Sequence, residues 1–402
     1  MMVYLLLTAM VCSMASDFYV WHRYFRGKAK PVGRVILLVQ AVLLDLVLPA
    51  ALYAVNGTFG REEEAAQAML WLMWVFLLFF VSKTVFALFS GIGALLNRGS
   101  RKRRRFFEAV GGVLAASVVC IMIYGASHGI STIRVNRIEV TSPKVPEAFD
   151  GYRIAQFSDL HIGNLAPSGT LMTDIVDTIL ALKPDLIVNC GDLVNIRSSE
   201  ITPDVFRRLS RLKAPDGVVS VLGNHDFGIY VPGSDTAAER SLERLKEIQR
   251  ALGWKLLQNE HIWLERGADR MAVAGVDFPH KDRRNGVHAV KGGSDLRRAM
   301  QGVDTSCFSL LVSHTPALWD SIPQTAAPDL TVAGHVHAMQ MKLNLGRLHL
   351  SPAEFLYPEW SGLYVKGGLR LYVNDGVGYV LFPMRIGALP EVTLFELRRS
   401  AE

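Results

Sequence analysis

The feature that most constrains this 402-residue chain is the uneven distribution of its apolar residues. Long apolar runs crowd the N-terminal third, whereas the rest of the chain has the mixed composition of a globular sequence. Four runs reach the length of about 20 residues that a helix needs to span a bilayer. They cover residues 1–21, 35–55, 68–95 and 109–126. The sequence therefore predicts four transmembrane helices within 1–126, a linker over 127–132 and a separate domain over 133–398.

The first apolar run has a second interpretation, since a cleaved signal peptide is also apolar and N-terminal. No basic segment precedes the run, and a cleavage site near Ala15 would be weak. We therefore expect a retained membrane helix.

Charged residues divide the chain in the same way. Residues 1–127 contain 13 Lys/Arg and 6 Asp/Glu, and the remainder contains 30 and 31, so the net charge of +6 comes from the membrane part. The remainder lacks the basic excess of a nucleic-acid-binding domain, and no nucleic-acid partner is expected. The basic run 101–105 adjoins a predicted helix, which favours a contact with anionic membrane lipids over a nuclear signal.

The loops between the apolar runs predict the orientation of the chain. Loops 22–34 and 98–105 hold five and six Lys/Arg, whereas loop 56–67 holds one Arg and three Glu. Short basic loops remain in the cytoplasm. We therefore expect a multi-pass protein of the inner or plasma membrane, with the domain 133–398 on the non-cytoplasmic side.

Two charged residues lie deep in the predicted helices, Asp45 in the second and Lys83 in the third. An unpaired charge at mid-membrane costs at least about 2.5–3.5 kcal/mol. The sequence therefore predicts an Asp45–Lys83 ion pair, although each residue could instead find a separate backbone or water partner. One pair is too little to indicate an ion or proton path.

From residue 133 onward, strand-like and helix-like patterns alternate, which predicts an α/β domain with a pair of mixed sheets covered by helices. Strands are expected at 133–141, 151–158, 184–190, 217–222, 254–258, 262–266, 271–276, 306–312, 329–333, 340–345, 369–374 and 391–397, and helices at 170–182, 202–212, 235–252, 294–301 and 316–322.

Five polar segments each follow an apolar strand of this domain. They are Asp159-Leu160-His161, Gly191-Asp192, Gly223-Asn224-His225-Asp226, Ser313-His314 and Gly334-His335-Val336-His337. Ligands of α/β folds collect at the carboxyl ends of strands, so we expect these side chains to meet at one edge of a sheet. Each motif by itself is common in surface loops, but five in succession indicate a site.

The residue types of this site suit divalent metal ions. Imidazole favours Zn, Fe, Mn and similar ions, and carboxylate and amide oxygens complete the coordination shell. Two ions about 3.5–4 Å apart need a bridging carboxylate, and a phosphoryl group can then lie across both. The glycines before Asp192, Asn224 and His335 allow the backbone to approach closely. Cys190, immediately before Gly191, is interpreted as a core residue and not as a nucleophile.

This set of motifs resembles that of the calcineurin-like metallophosphoesterase family, over about residues 133–398. The tail resembles a membrane-associated bacterial subgroup, at Tyr372-Val373-Asn374-Asp375-Gly376-Val377-Gly378, at Pro383-Met384-Arg385-Ile386-Gly387 and at Pro390-Glu391. The subgroup includes enzymes that hydrolyse phosphoester or pyrophosphate bonds, some of them on lipid-linked substrates. The resemblance implies two mixed β-sheets flanked by helices.

The resemblance also implies roles for the site residues. Asp159, His161 and His337 would bind one ion, Asn224, His314 and His335 the second, and Asp192 both. His225 would bind no metal but would protonate the leaving oxygen, and Asp226 would orient His225 through a ring N–H. The family often has Gly-Asp-x-x-Asp, and Asn195 departs from it, so we expect altered metal affinity or basicity there.

The expected activity is hydrolysis of a phosphorylated small molecule or lipid-linked substrate by water that two metal ions activate. Tyr357, Trp360, Tyr364 and the segment 280–284 could contact a headgroup or could be packing. The alternative function is that of a membrane sensor or assembly module, whose metal centre binds a phosphorylated ligand without turnover. A transporter with an attached domain has little support.

The orientation is open to a direct test with single-cysteine probes at positions 63 and 100, labelled in intact cells by a membrane-impermeant thiol reagent. Position 63 should react and position 100 should not, because the basic loops face the cytoplasm. The reverse pattern would invert the topology and place the domain among cytoplasmic substrates.

Overall fold

The computed structural model describes residues 2–26, 32–33, 35, 38–39, 41, 45, 63–97, 99–165, 169–231, 235–278, 294–322, 327–346 and 348–400. The chain forms two compact units. The first comprises Met1–His128 and Leu381–Met384, and the second comprises Gly129–Val380 and Arg385–Glu402. We refer to them as the N-terminal unit and the C-terminal unit.

The N-terminal unit is helical. Helix α1 covers Met2–Val20, α2 covers Glu63–Leu96 and α3 covers Arg101–Tyr124. The spans Gln67–Leu96 and Arg101–Gly129 are long and apolar enough to cross a membrane. Their apolar residues are not confined to one face; Leu88 and Leu95 are 58% and 66% exposed, as expected for helices solvated by lipid. The span predicted at 35–55 lies largely outside the described residues.

A polar network crosses the helices of this unit. The ammonium of Lys83 lies 3.3 Å from Oδ1 of Asp45, which confirms the predicted pair. Lys83 also donates to the carboxylate of Asp17 on α1, and the hydroxyl of Ser13 donates to Asp45 at 2.6 Å. The sequence does not single out Asp17, which lies within one turn of the end of α1. The cation is therefore held between two carboxylates.

In its described residues, the C-terminal unit has two six-stranded mixed sheets and a separate two-stranded hairpin. The strand order is β1-β14-β2-β3-β4-β5 in the first sheet and β12-β13-β9-β8-β7-β6 in the second, with β10 paired to β11. The strands are β1 Arg134–Ser142, β2 Arg153–Phe157, β3 Leu186–Asn189, β4 Val218–Ser220, β5 Lys255–Leu256, β6 Glu260–Arg266, β7 Asp269–Gly275, β8 Ser309–Val312, β9 Leu330–Ala333, β10 Leu343–Leu345, β11 Leu348–Leu350, β12 Gly362–Lys366, β13 Leu369–Val373 and β14 Glu391–Arg399. The helices are α4 Leu171–Ala181, α5 Pro203–Leu209, α6 Asp235–Ala251 and α7 Leu296–Ala299.

The two sheets share one hydrophobic core. Strands β2–β4 and β7–β9 run parallel to their sheet neighbours within each set and are almost entirely buried, which explains their unbroken apolar sequences. Val188 and Val219 of the first sheet belong to the same buried cluster as Val273, Leu310 and Val332 of the second. This packing places the carboxyl ends of strands from both sheets near one another.

Some predicted elements differ from the observed ones. Strand β10 begins at Leu343 and not at residue 340, because His337–Gln340 forms a short 3₁₀ turn. The predicted helix 294–301 is reduced to Leu296–Ala299, and the helix 316–322 is a 3₁₀ segment, Pro316–Ser321. Strands β11 and β12 were not predicted, although the Gly367-Gly368 turn between β12 and β13 is a hairpin signal.

Substitution of Lys83 by Met should destabilise the N-terminal unit, because it leaves two carboxylates unpaired in apolar surroundings. Loss of one partner of a fully buried ion pair typically costs about 3–5 kcal/mol, and the cost should be smaller here because the three side chains are partly exposed. Thermal unfolding in detergent measures the effect. The triple variant Lys83→Met/Asp17→Asn/Asp45→Asn removes all three charges and should recover most of the loss. Equal stability of the single and triple variants would contradict the network.

Candidate metal centre

The five polar segments do converge, but from two sheets and not from the edge of one. The segments that begin at Asp159, Asp192 and Asn224 follow β2, β3 and β4 of the first sheet. His314 and His335 follow β8 and β9 of the second sheet. The expectation of a single sheet edge was therefore wrong, because the face-to-face packing of two sheets brings both sets of strand ends together.

Three side chains form the first group of potential metal ligands, namely Asp159, His161 and His337. The Nε2 atoms of His161 and His337 are 3.2 Å apart. Oδ1 of Asp159 lies 3.3 Å from Nε2 of His337 and 3.9 Å from Nε2 of His161. All three side chains are buried.

The second group consists of Asp192, His314 and His335, with Asn224 beside them. Nε2 of His314 lies 3.0 Å from Oδ1 of Asn224, 3.1 Å from Nδ1 of His335 and 3.3 Å from Oδ2 of Asp192. The same Oδ2 of Asp192 lies 3.7 Å from Nε2 of His161 in the first group. Asp192 therefore stands between the two groups, where a bridging carboxylate is required.

The donor atoms fit divalent ions in type and spacing. Ligand atoms about 2.0–2.1 Å from a tetrahedral ion lie roughly 3.3–3.4 Å from one another. Most of the separations within each group are close to this value. When several imidazole nitrogens face one another in a buried space, a hydrogen bond forms only where one nitrogen carries a proton. A metal cation accepts the lone pairs of all of them at once.

The electrostatics of the site keep the Asp192 carboxylate ionised and favour a positive charge next to it. Burial lowers the pKa of His161, and it lowers the pKa of His335 to about 3. Both imidazoles therefore stay neutral and keep a lone pair for a metal ion. Burial also opposes a charge on His314, but the Asp192 carboxylate raises the pKa of this imidazole to about 9. Although burial disfavours the Asp192 carboxylate, its facing imidazoles hold the pKa of this carboxyl well below its ordinary value.

The backbone is strained at the same positions. Asp159, His161, Asp192, His335 and His337 all have φ between 43° and 72°, in the left-handed region that non-glycine residues rarely adopt. Such residues cost on the order of 1–3 kcal/mol each and cluster at functional sites. The surrounding sheets therefore hold these side chains in positions that the local chain would not choose.

The predicted role of the glycines is confirmed at two of these loops. A Cβ on Gly223 would lie 2.1 Å from Oδ1 of Asp192, and one on Gly334 would lie 2.3 Å from Oδ2 of Asp159. Any side chain at either position would displace the candidate ligands.

His225 lies next to both groups, and with His161 and Asp192 it forms a third set of side chains close enough to hold an ion. Its ring is 4.6 Å from the His161 ring, centroid to centroid, and its backbone N–H donates to Oδ1 of Asp192 at 2.8 Å. Nδ1 of His225 lies within hydrogen-bond distance of the Asn195 carbonyl. Tyr230 covers the other side of the ring at 4.3 Å. The imidazole is thus fixed in place with one ring nitrogen committed to the backbone.

The expected contact between Asp226 and the His225 ring is wrong. Oδ1 of Asp226 accepts from the backbone N–H groups of Leu193 and Val194, and Oδ2 accepts from that of Gly223. Because neighbouring side chains in the loop diverge, Asp226 points back into the loop after β3. It ties the two loops together, and the Asn195 carbonyl orients His225.

Two buried residues that support the site were given no role by the sequence. The Glu200 carboxylate accepts from four backbone N–H groups, those of Gly163, Asn195, Ile196 and Arg197. The guanidinium of Arg385 is fully buried and lies 3.1 Å from Nδ1 of His337, and it donates to three carbonyls. Arg385 falls in the tail motif, which was its only sequence signal.

The residues predicted as possible headgroup contacts lie in different environments. Trp360 is buried in a hydrophobic cluster, and the Tyr364 hydroxyl accepts from the backbone N–H groups of Trp360 and Ser361, so both are packing residues. The Tyr357 ring lies 6.1 Å from that of His335, at the rim of the second group. Residues 280–284 lie outside the described residues.

Comparison with known proteins agrees with this geometry. Residues 152–339 match the family model described as Calcineurin-like phosphoesterase, and residues 2–130 match that described as Probable Calcineurin-like phosphoesterase, transmembrane domain. The uncharacterized metallophosphoesterase YkuE of Bacillus subtilis is 30% identical over 74% of this chain and 98% of its own length. A transmembrane protein with metallophosphoesterase domain from Danio rerio is 29% identical over 82% of this chain and 72% of its own. The UDP-2,3-diacylglucosamine pyrophosphatase LpxG of Chlamydia trachomatis is 26% identical over 61% and 84%, respectively.

A buried double cluster of imidazoles and carboxylates at the ends of two packed mixed sheets defines a metal-dependent phosphoesterase. The chain belongs to the calcineurin-like phosphoesterase family, with relatives among the membrane metallophosphoesterases of bacteria and animals. The transmembrane domain and the fold class expected from the sequence are confirmed.

Replacement of Asp192 by Ala should abolish hydrolysis and release metal, because the carboxylate between the two groups is lost. Metal analysis after dialysis and turnover of bis(para-nitrophenyl) phosphate measure the two effects together, starting from about two ions per chain. The control is Asp329→Ala, which removes a partly buried carboxylate just before β9, at the end of the strand away from His335. Wild-type turnover by Asp192→Ala would refute a shared carboxylate.

Proposed function

We propose that this protein is a membrane-anchored dinuclear phosphoesterase, which hydrolyses a phosphoester or pyrophosphate bond of a phosphorylated small molecule or a lipid-linked substrate. One observation carries the proposal. Oδ2 of Asp192 lies 3.7 Å from the first group of ligands and 3.3 Å from the second, with His225 immediately beside it.

In this proposal, Asp159, His161 and His337 hold one divalent ion, and Asn224, His314 and His335 hold the other, with Asp192 shared. The mixed nitrogen and oxygen donors suit Mn, Fe or Zn. When bound, two such ions polarise a phosphoryl group and lower the pKa of a water molecule. The protein contributes the fixed spacing of the ligands and a buried, low-dielectric position for the reacting phosphorus.

His225 is proposed as the general acid. Its Nδ1 donates to the Asn195 carbonyl, so Nε2 is the nitrogen that remains for the substrate. Burial lowers the pKa of His225, and the Asp192 carboxylate opposes this effect. Proton donation needs the imidazolium form, which the negative charge of a bound phosphoryl group favours. Asp226 acts only through the backbone of the neighbouring loops in this scheme.

A lipid-linked substrate is supported by two features of the chain. The spans Gln67–Leu96 and Arg101–Gly129 would keep the active site close to a bilayer. LpxG, a relative that covers 61% of this chain, is a pyrophosphatase of a diacylated glucosamine nucleotide by its name. We place the substrate on the non-cytoplasmic side, on the strength of the basic loops 22–34 and 98–105.

The substitution His225→Asn separates an enzyme from a binding module. All proposed metal ligands remain, so metal content should not change, whereas hydrolysis of an alkyl phosphoester should fall about 10²–10⁴-fold. The loss should appear mainly in kcat, because the acid acts in the transition state. It should be smaller for an aryl ester, whose leaving group needs little protonation.

The matched control is His261→Asn, since Nδ1 of His261 also faces a backbone carbonyl, that of Ala299 at 2.9 Å, but outside both ligand groups. Equal rates for wild type and His225→Asn on both esters would rule out His225 as the acid. No turnover by the metal-loaded wild type across monoesters, diesters and nucleotide–lipid pyrophosphates would favour a module that binds without hydrolysis.

A further inference from the structure

The β10–β11 hairpin has one face made only of leucines. Leu343 pairs with Leu350 and Leu345 with Leu348 in an antiparallel register. Residues directly opposite on paired strands, and residues two apart on one strand, lie on the same face. All four leucines therefore share a face, which we call the leucine face. Asn344 and His349 form the opposite face and are hydrogen-bonded to each other at 2.9 Å.

The leucine face is not covered by the described part of the C-terminal unit. Its four side chains are 43–59% exposed, similar to Leu88 on the membrane-spanning helix α2 at 58%. A two-stranded hairpin is only marginally stable in water, and an apolar patch on it indicates an interaction surface. A surface of this kind needs an apolar partner.

Further exposed apolar residues follow the hairpin along the chain, before the metal centre is reached. The hairpin begins after Lys342, whose ammonium is held by Asp375 and Ser361. After the hairpin come Phe355, which is 89% exposed, and Leu356, which is 45% exposed. The next residue is Tyr357, whose ring lies against His335. One continuous stretch of chain thus joins the leucine face to the rim of the second ligand group.

We propose that the leucine face and Phe355 seat in the acyl-chain region of the bilayer that α2 and α3 span, so that the metal centre meets phosphate in the headgroup layer. Bilayer lipid is the apolar partner we infer, because the domain that carries the hairpin is joined to the membrane spans by a short connection. The last span ends at Gly129 and β1 begins at Arg134, and the five backbone steps between these residues reach at most about 18 Å.

The composition of the hairpin also suits a membrane surface. An apolar face with a polar opposite face, together with an exposed aromatic residue, is the arrangement of elements that lie in the interface plane of a bilayer. The position of the hairpin does not depend on enzymatic activity. The further statement that the cleaved bonds belong to molecules in the bilayer rests on the proposed function.

The depth of the hairpin can be measured on the full-length protein in vesicles of phosphatidylcholine and phosphatidylglycerol. An environment-sensitive fluorophore is attached to Leu348→Cys or, as the matched control on the polar face, to His349→Cys. Both are made in a background with Cys12, Cys120 and Cys307 replaced by Ser. The probe at 348 should emit at shorter wavelength and be quenched by doxyl-labelled acyl chains, and the probe at 349 should be quenched mainly by aqueous iodide.

Two results would overturn the proposal. Quenching of the probe at 348 by iodide and not by doxyl lipid would mean that the leucine face lies in water. Protection of that probe from both quenchers would mean that protein covers it, either a second copy or the segment 279–293. The quenching measurement involves no hydrolysis. An absence of enzymatic activity would therefore refute the proposed function but would not change the conclusion about the position of the hairpin.

A second measurement tests the consequence for the substrate. It compares turnover of methyl para-nitrophenyl phosphate in solution with that of dioleoylglycerol para-nitrophenyl phosphate in the same vesicles. Replacement of all four leucines by Ser should lower the ratio of anchored to soluble turnover several-fold, while Asn344→Ala/His349→Ala should not change it. Metal content verifies that the variants are folded. An unchanged ratio in the four-leucine variant would mean that the hairpin does not present bilayer-borne substrate.

Discussion

The buried carboxylate of Asp192 is the constraint on which the rest of the site depends. One oxygen accepts the backbone N–H of His225, and the other faces His161 on one side and His314 on the other. A buried charge of this kind is costly unless cations or donors surround it. Its position therefore requires imidazoles from both sheets to be close, and Gly223 makes room for it.

The scaffold holds this arrangement against local preference. Five of the candidate ligands adopt left-handed backbone conformations, which only a firmly packed framework can maintain. That framework is the core shared by the two sheets, where Val188, Val273 and Leu310 are fully buried. Glu200 and Asp226 add to it by accepting backbone N–H groups from the loops after β3 and β4. Rigidity at the ligands is thus supplied by residues that bind neither metal nor substrate.

The membrane-spanning helices and the phosphoesterase domain belong to one chain. Only residues 130–133 separate the span that ends at Gly129 from β1, which begins at Arg134. The partly buried cation of Lys83 lies between the carboxylates of Asp17 and Asp45, so charge pairing within the spans links α1 to α2.

The sequence by itself determined the features that depend on local pattern. Apolar runs of sufficient length predict the spans, and strands followed by Asp159, Asp192 and His335 predict a metal centre, since the ends of parallel strands collect ligands. The Asp45–Lys83 pair was predictable because unpaired charge is so unfavourable in lipid.

Other features were decided only by tertiary structure, because they depend on how distant segments pack. The loop conformation makes the Asn195 carbonyl, and not Asp226, the partner of His225. The packing of the tail brings Arg385 to His337, across 48 residues. The register of β10 and β11 places four leucines on one face, which neither strand specifies without its partner. Motifs fix which groups are available, and only the packing of the two sheets and their loops fixes which of them touch.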